Sequence, residues 1–291
     1  MNRKAVFFTI LAIALLSLFL VSYTFLSFIE SRDAINKRIK TMNNFVFSIE
    51  QDLPRQLYVS GFRMILLLDR EVHNKHVFVA DINSSINELF YNGTLNGENQ
   101  KLMKRANFSG IQETLNEKAN KINANIELSN PSLSFGQDDP WHVKFTLTLD
   151  VSIEDNTDLV SWNKTSTISS LVPIETFFDP VYAVYAPQII PNYTFNQTIY
   201  PLPLGGNLPS QVNNHFYINT TISPSFLKRL QGDLSADPNG IESLVGKSVP
   251  DMPQYDKSIV DYIYFGPTNP QPTQNIMGYE IDAAHVPFYG S

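Results

Sequence analysis

Residues 5–29 read AVFFTILAIALLSLFLVSYTFLSFI, with no charged side chain and with polar groups only at Thr9, Ser17, Ser22, Tyr23, Thr24 and Ser27. A helix rises about 1.5 Å per residue, so roughly 20 apolar residues cross a hydrocarbon core. The pattern predicts one transmembrane helix, and no later stretch repeats it. The apolar positions then change spacing. Ile35, Ile39, Met42, Val46, Ile49 and Leu53 follow in steps of 4, 3, 4, 3 and 4, a heptad stripe with polar residues between. This predicts that the membrane helix runs on as an amphipathic stalk. The stripe packs on the protein's own domain or, in the alternative, on a second copy. Pro54 is expected to end or kink the helix and to open the next one.

The next segment carries Leu57, Tyr58, Phe62, Ile65, Leu68 and Val72 on one broad face. That is a core helix, too short and too charged to be a second span. Arg63 lies inside the face and is expected to snorkel or pair. Asp81 reads as the N-cap of INSSINELFY, with Asn92-Gly93 as the turn that ends it. Gly97 to Arg105 is a polar connector. Ser109 is the expected cap of a helix with Ile111, Leu115, Ala119 and Ile122 on one face.

From residue 125 the period becomes two. Trp141, Val143, Phe145, Leu147, Leu149, Val151 and Ile153 alternate with His142, Lys144, Thr146, Thr148, Asp150, Ser152 and Glu154. Such alternation predicts a strand with one buried and one wet face in an antiparallel sheet. NIELSNPSLSF and LVSWNKTSTISSLVPIE are its expected partners, with Asn156 and Asp158 in the second turn. Beyond Pro180, prolines at 187, 191, 201, 203 and 209 predict a long ordered loop. HFYINTTI is expected as a strand, and Ser223-Pro224 as the cap and first residue of a helix. IESLVG, SIVDYIYFG and GYEIDAAHVPFYG supply short apolar elements. The fold class is therefore α+β. A cytoplasmic tail at 1–4 precedes the transmembrane helix at 5–29, a helical stalk and neck at 30–124 and an antiparallel β-rich extracytoplasmic domain at 125–291.

Composition narrows the function. The formal net charge of −7 argues against nucleic acid, whose phosphates need a basic face. With no cysteine, the chain has no disulfide, no thiolate nucleophile and no Cys-based metal site. Arg3 and Lys4 favour a cytoplasmic N-terminus, against which stand Arg32, Lys37, Arg38 and Lys40 just after the span. Seven Asn-X-Ser/Thr sequons favour an exterior body: Asn83, Asn92, Asn107, Asn163, Asn192, Asn196 and Asn219. The apolar run is longer than a signal-peptide core and ends in Phe25, Leu26, Phe28 and Ile29 rather than at a small-residue cleavage site. A pilin-type leader cut after Ala5 is a further alternative, although the acidic residue expected five positions into a bacterial-type mature pilin is missing.

Catalytic signatures are not legible. There is no Gly-rich phosphate loop, no G-x-S-x-G, no H-E-x-x-H and no zinc ligand set, and no cofactor is expected. His73 and His76 have a metal-compatible spacing without a third ligand, and a surface helix end is the preferred reading. Asp233, Ser235, Asp237 and Asn239 place oxygens at alternate positions, as a calcium loop does. The glycine falls at position 8, Pro238 stiffens the loop and position 12 lacks a bidentate Glu, so a polar turn is preferred.

Several segments, in order, carry a resemblance. They are MNRKAVFFTILAIALL, RQLYVSGFR, DPWHVKFTLTLDVSIED, VPIETFFDPVYAVY, SPSFLKRLQGDLSADPNGIESLV, KSIVDYIYF and DAAHVPFYG. The chain resembles a group of archaeal single-pass membrane-anchored surface proteins, some of pilin-like plan. The resemblance implies an archaeal envelope location, one N-terminal anchor and a body outside the cell, and it transfers no active site. The expected role is structural, adhesive or in assembly, without catalysis. The expected partners are the membrane and, through self-association or otherwise, envelope proteins. The alternatives are a minor pilin-like filament subunit and an extracytoplasmic enzyme or ligand-binding module.

Overall fold

A computed structural model describes residues 3–157, 160–188, 193–246, 257–267 and 270–290. Its dominant element is α1, Arg3–Lys75, a single helix of 73 residues and about 110 Å. The helix does not end at Pro54, which lies inside it. Leu53 and Leu57 on either side are buried in the core, and packing of the flanking turns outweighs the lost backbone hydrogen bond. The heptad stripe is not a free stalk. Met42, Ile49 and Leu53 are 1–2 % exposed and belong to the main core. Only the turns between Leu26 and Arg38 separate the exposed apolar segment from the body.

Two helices and a small hairpin support α1. Asp81 caps α2 (Ile82–Asn92) by accepting from the Ser84 amide at 3.0 Å. Gly93, at φ 71°, takes the left-handed conformation that ends the helix. The hairpin β1 (Thr94–Leu95) and β2 (Glu98–Asn99) then turns at Asn96-Gly97, so the expected polar connector, Gly97 to Arg105, supplies its second strand and a 3-10 turn at Lys101–Met103. Helix α3 (Phe108–Asn120) is capped by Asn107, not by Ser109. The Asn107 Oδ1 accepts from the Gly110 amide at 3.1 Å, while Ser109 accepts from the Asn107 side chain. Arg63 is paired, donating to the Leu102 and Lys104 carbonyls.

The sheet is a three-stranded antiparallel meander, β3 (Ala124–Asp139), β4 (His142–Asp155) and β5 (Ser161–Pro173), with β4 central. The alternation expected around Trp141 is present: Val143, Phe145, Leu147, Leu149, Val151 and Ile153 are all at most 2 % exposed. The β4–β5 register is unbroken from His142↔Pro173 to Glu154↔Ser161. The β3–β4 register shifts between Ser129 and Ser132 and again between Gly136 and Asp139. Asp158, expected in the β4–β5 turn, lies outside the described residues.

Helix α1 lies across the inner face of this sheet. At one end Arg38 is ion-paired to buried Asp155 and donates to the Ile122 and Asn123 carbonyls. At the other end Gly61 approaches so closely that a Cβ there would fall 2.6 Å from the Phe145 ring. Thus α1 runs along the strands, in the direction of β5, from the Asp155 end to the Val172 end. The expected helical neck and β-rich domain share one core.

The remaining chain forms a second layer of short elements: α4 (Pro180–Tyr185), α5 (Leu208–Asn213), β6 (Ile218–Asn219), α6 (Phe226–Gln231), β7 (Ile241–Glu242), α7 (Asp261–Phe265), the hairpin β8 (Gln274–Ile276) and β9 (Tyr279–Ile281), and α8 (Val286–Tyr289). HFYINTTI shrinks to the two residues of β6, paired to β7. Helix α6 begins after Ser225 rather than at Pro224. Ser223 is instead buried, 2.6 Å from the Thr220 hydroxyl. Leu204, Leu208, Ile218, Val260, Ile281 and Tyr289 form a core for this layer, while Phe195, Tyr217, Phe226 and Leu230 join the main one.

Candidate functional site

Two features stand out as carriers of function. The first is the exposed part of α1. Phe7–Leu26 is a 20-residue apolar segment with none of its residues buried against the body. Its side chains include Phe8, Leu16, Phe19 and Phe25, each more than 60 % exposed. Two polar side chains are satisfied within the helix: Ser17 donates to the Ala14 carbonyl and Thr24 to the Val21 carbonyl, both at 2.9 Å. The segment is long and apolar enough to cross a membrane.

The second feature is a buried ionic network in the C-terminal layer. Arg229 projects from α6 and is fully buried. Its Nη1 donates to Asp179 Oδ2 at 2.7 Å, and its Nη2 donates to Asp261 at 3.0 Å and to the Ile241 carbonyl at 2.6 Å. Asp179 also caps α4, accepting from the Val181 amide at 2.8 Å, and accepts from Tyr217 at 2.9 Å. Asp261 opens α7 and accepts from both the amide and the hydroxyl of Ser243. One guanidinium thereby fixes the starts of two helices and the end of a strand. Burial pushes the Asp179 carboxyl up to about 6 despite the attraction of Arg229, with Asp261 adding to the rise.

The network continues to the C-terminal elements. The His285 Nδ1 lies 2.8 Å from both oxygens of Asp282, and its Nε2 lies 3.1 Å from Glu242 Oε2. Glu242 also accepts from Tyr289 at 2.8 Å and from Thr220 at 3.1 Å. Burial works against the charged imidazole, but hydrogen bonds to Asp282 and Glu242 outweigh it and raise the His285 pKa to about 9. Burial likewise opposes the Asp282 anion, whose bonds to His285, Ser258 and Ala284 hold its pKa below the usual range.

These side chains resemble a catalytic grouping in composition but not in access. Arg229, Asp179, Asp261 and Glu242 are 0 % exposed, His285 1 % and Asp282 3 %. A substrate cannot reach them, and most of their donors and acceptors are spent on one another, the buried Arg229 Nε having no hydrogen-bond partner among the described residues. The chemistry of the arrangement is that of a clasp holding short elements together. Sequence reading missed it, yet a signal was there. Glu242 and Asp261 are lone acids inside the short apolar segments IESLV and IVDYIYF, and Asp282 follows Ile281 in IDAAHV. Such an acid is costly to bury without a partner, so three of them in one layer imply buried cations.

The earlier site candidates fall elsewhere. In the Asp233–Asn239 loop, the Lys228 ammonium lies 3.1 Å from the Ser235 hydroxyl, 2.7 Å from the Ala236 carbonyl and 3.5 Å from Asp237. Asp233 and Asp237 accept from the amides of Ser235 and Asn239, both at 2.9 Å. Lys228 and backbone amides thus engage the Ser235 hydroxyl and carboxylate oxygens of Asp233 and Asp237, while the Asn239 side-chain amide donates to the Gln137 carbonyl at 2.7 Å. His73 stacks on Phe178, and His76 Nδ1 lies 2.9 Å from the Ala183 carbonyl. Of the sequon asparagines, Asn83, Asn92, Asn163, Asn196 and Asn219 are exposed. Asn107 is half-buried in its capping role, and Asn192 lies outside the described residues.

Two surface grooves lie away from the clasp. One of about 440 Å³ lies between α1 and α2, where the Glu88 carboxylate accepts from the Gly97 and Asn96 amides and the Thr94 hydroxyl. Another, of about 640 Å³, is bordered by Tyr185, Phe265 and Asp233. Comparison with family models, with curated proteins and with solved structures gives no match to this chain.

Proposed function

We propose that this chain is a single-pass, membrane-anchored archaeal cell-surface protein. Its N-terminus is cytoplasmic, and its extracytoplasmic body has a structural, adhesive or assembly role without catalysis. The observation that carries the reading is the division of α1. The same helix is wholly exposed and apolar over Phe7–Leu26 and supplies the body core from Met42 onward. Force or position at the membrane is thereby passed directly into the sheet. Arg3 and Lys4 support the cytoplasmic N-terminus, and the five exposed sequon asparagines support the exterior body. Burial of the ionic network argues against a catalytic role for it.

A minor pilin-like subunit is the second reading. It is favoured by a long N-terminal helix laid along an antiparallel meander. N-terminal sequencing of protein from native membranes separates the two. A chain starting at Met1 or Asn2 supports the permanent anchor, and a chain starting at Val6 supports processing. Mass spectrometry of the same material tests the exterior location: glycan is expected on the exposed sequons, and seven bare asparagines would remove that support.

A further inference from the structure

The two edges of the sheet differ in how they are protected. Along β3 the Ile126 and Leu133 amides donate to the Asn116 and Tyr91 side chains, at 3.1 and 3.2 Å, and Pro131 has no amide to offer. Two register shifts interrupt the same strand. Such devices keep an edge from recruiting another strand. β5 lacks them. Its register with β4 is unbroken from Ser161 to Pro173, and proline falls only at its last position. Lys164, its one charged residue, is tied to Glu50 of α1 at 2.8 Å. Among the described residues, no hydrogen bond other than those to β4 reaches the β5 backbone. Alternate residues of β5 therefore hold N–H and C=O groups toward open space, and what such a row accepts is an extended chain.

We infer that the occupant is β5 of a second copy held in a facing membrane, paired antiparallel about Thr167. The inference rests on the anchored, extracytoplasmic reading and makes its adhesive role concrete. What selects a second copy is the self-complementarity of the strand. Opposed residues in an antiparallel pair share a face, so the two-fold axis falls on a residue, and Thr167 is the one that pairs the whole strand. Thr167 then meets Thr167, Thr165 meets Ser169 and Trp162 meets Val172, the hydroxyl and aromatic–β-branched pairs that stabilise antiparallel sheets. Lys164 meets Ser170, so no pair opposes like charges, although the chain as a whole carries −7. The Ser170 hydroxyl, buried without a hydrogen-bond partner among the described residues, thereby gains a donor opposite it. Asn163 projects from the outer face of the sheet rather than along the edge, so a glycan there leaves the edge open.

The anchors fix where the second copy sits. β5 runs along α1, so antiparallel pairing sends the two apolar segments in opposite directions, which excludes copies in one membrane. Leu53 and Thr167 line one groove of about 250 Å³ between α1 and β5. Leu53 stands 27 residues beyond Leu26, the end of the apolar segment, which is about 40 Å of helix. The two apolar segments are then about 80 Å apart. From Leu53 to Lys75, where α1 ends, is only about 33 Å. Each helix therefore stops short of the facing bilayer.

The test uses the full chain reconstituted into two populations of phosphatidylcholine vesicles carrying different fluorophores. Docking is read as two-colour clustering. The unmodified chain is expected to cluster the vesicles, with their hydrocarbon layers about 80 Å apart by electron cryomicroscopy. Thr167 is exposed, so Thr167→Lys and Thr167→Glu leave the body folded, and each places like charges at the axis. Clustering is expected to fall at least ten-fold with either variant alone and to return when the two variants are mixed. Vesicle flotation separates the two claims. Chain that floats with the vesicles but leaves them dispersed overturns the pairing alone. So does undiminished clustering with either variant, or a loss that mixing does not reverse in variants folded by circular dichroism. Chain that does not float overturns the anchor and the pairing together.

Discussion

His285 offers the sharpest test of the buried clasp, because its proton is what balances two carboxylates. Four elements meet at the ring: Glu242 from β7, Tyr262 from α7, Asp282 beyond β9, and Tyr289, which shares Glu242, from α8. The imidazole pKa is raised from 6.5 to about 9 in the fold. A raised histidine contributes stability that is fully present below the unfolded value and is lost as pH rises through the folded value. At about 1.4 kcal/mol per tenfold change, the full contribution is about 3 kcal/mol, of which about 2 kcal/mol disappears between roughly pH 7.5 and 9.5. Burial pushes Tyr262 and Tyr289 upward, so their protons stay in place through this window. The assay is urea unfolding of the detergent-solubilised chain, followed by near-UV circular dichroism, across that pH range. The unmodified chain is expected to lose about 2 kcal/mol, and His285→Gln to start about 2 kcal/mol lower at pH 7.5 with almost no slope, since its buried carboxylates lack their cation throughout. Equal slopes in the two proteins, or a flat profile in the unmodified one, refute the reasoning.

Three further changes probe other parts of the account. Gly61→Ala forces a Cβ to within 2.6 Å of the Phe145 ring and 3.1 Å of Val172, and a loss of about 1–3 kcal/mol in urea unfolding is expected; an unchanged midpoint would show that α1 sits farther from the sheet. Asp69 is 3 % exposed, and burial raises its pKa to about 7. Its favourable share of stability is present below about pH 4 and lost as pH rises to about 7, so Asp69→Asn is expected to gain up to about 4 kcal/mol relative to the unmodified chain between pH 4 and 8; no relative gain over that range contradicts it. Asp81→Ala removes the α2 cap and is expected to cost about 1 kcal/mol, with faster amide exchange at Ser84 as its local signature; unchanged exchange there would count against the cap.

How much of this was legible depends on the range over which each element is determined. The strand from Val143 to Ile153 was readable because strict alternation has one physical meaning, a sheet with one dry face. The exposed apolar helix, long enough to cross a membrane, was readable from length and charge alone. The Asp81 cap was readable, but the choice between Asn107 and Ser109 depended on which side chain reaches the first free amide of α3. Pro54 misled because local propensity was set against packing on both flanking turns, and packing won. HFYINTTI has the look of a strand, yet only Ile218 and Asn219 pair as a ladder, with Tyr217 in a single bridge to Gln197. The clasp was invisible for a different reason. Its members span positions 179 to 285, and no local rule pairs Asp179 with Arg229 or Glu242 with His285. What the sequence did hold was the anomaly of single acids in apolar segments, which points to burial without naming the partner.

The central claim is that Phe7–Leu26 holds the chain in a membrane while the rest of α1 independently holds the body together. Alkaline carbonate extraction of membranes containing the full chain tests it most directly, beside a variant with Leu15→Arg and Leu18→Arg. Both leucines are more than half exposed and outside the core, so the body is expected to fold unchanged. The account predicts that the full chain stays with the bilayer and that the double variant is recovered in solution, folded by circular dichroism. Release of the unmodified chain, or retention of the double variant, would contradict it.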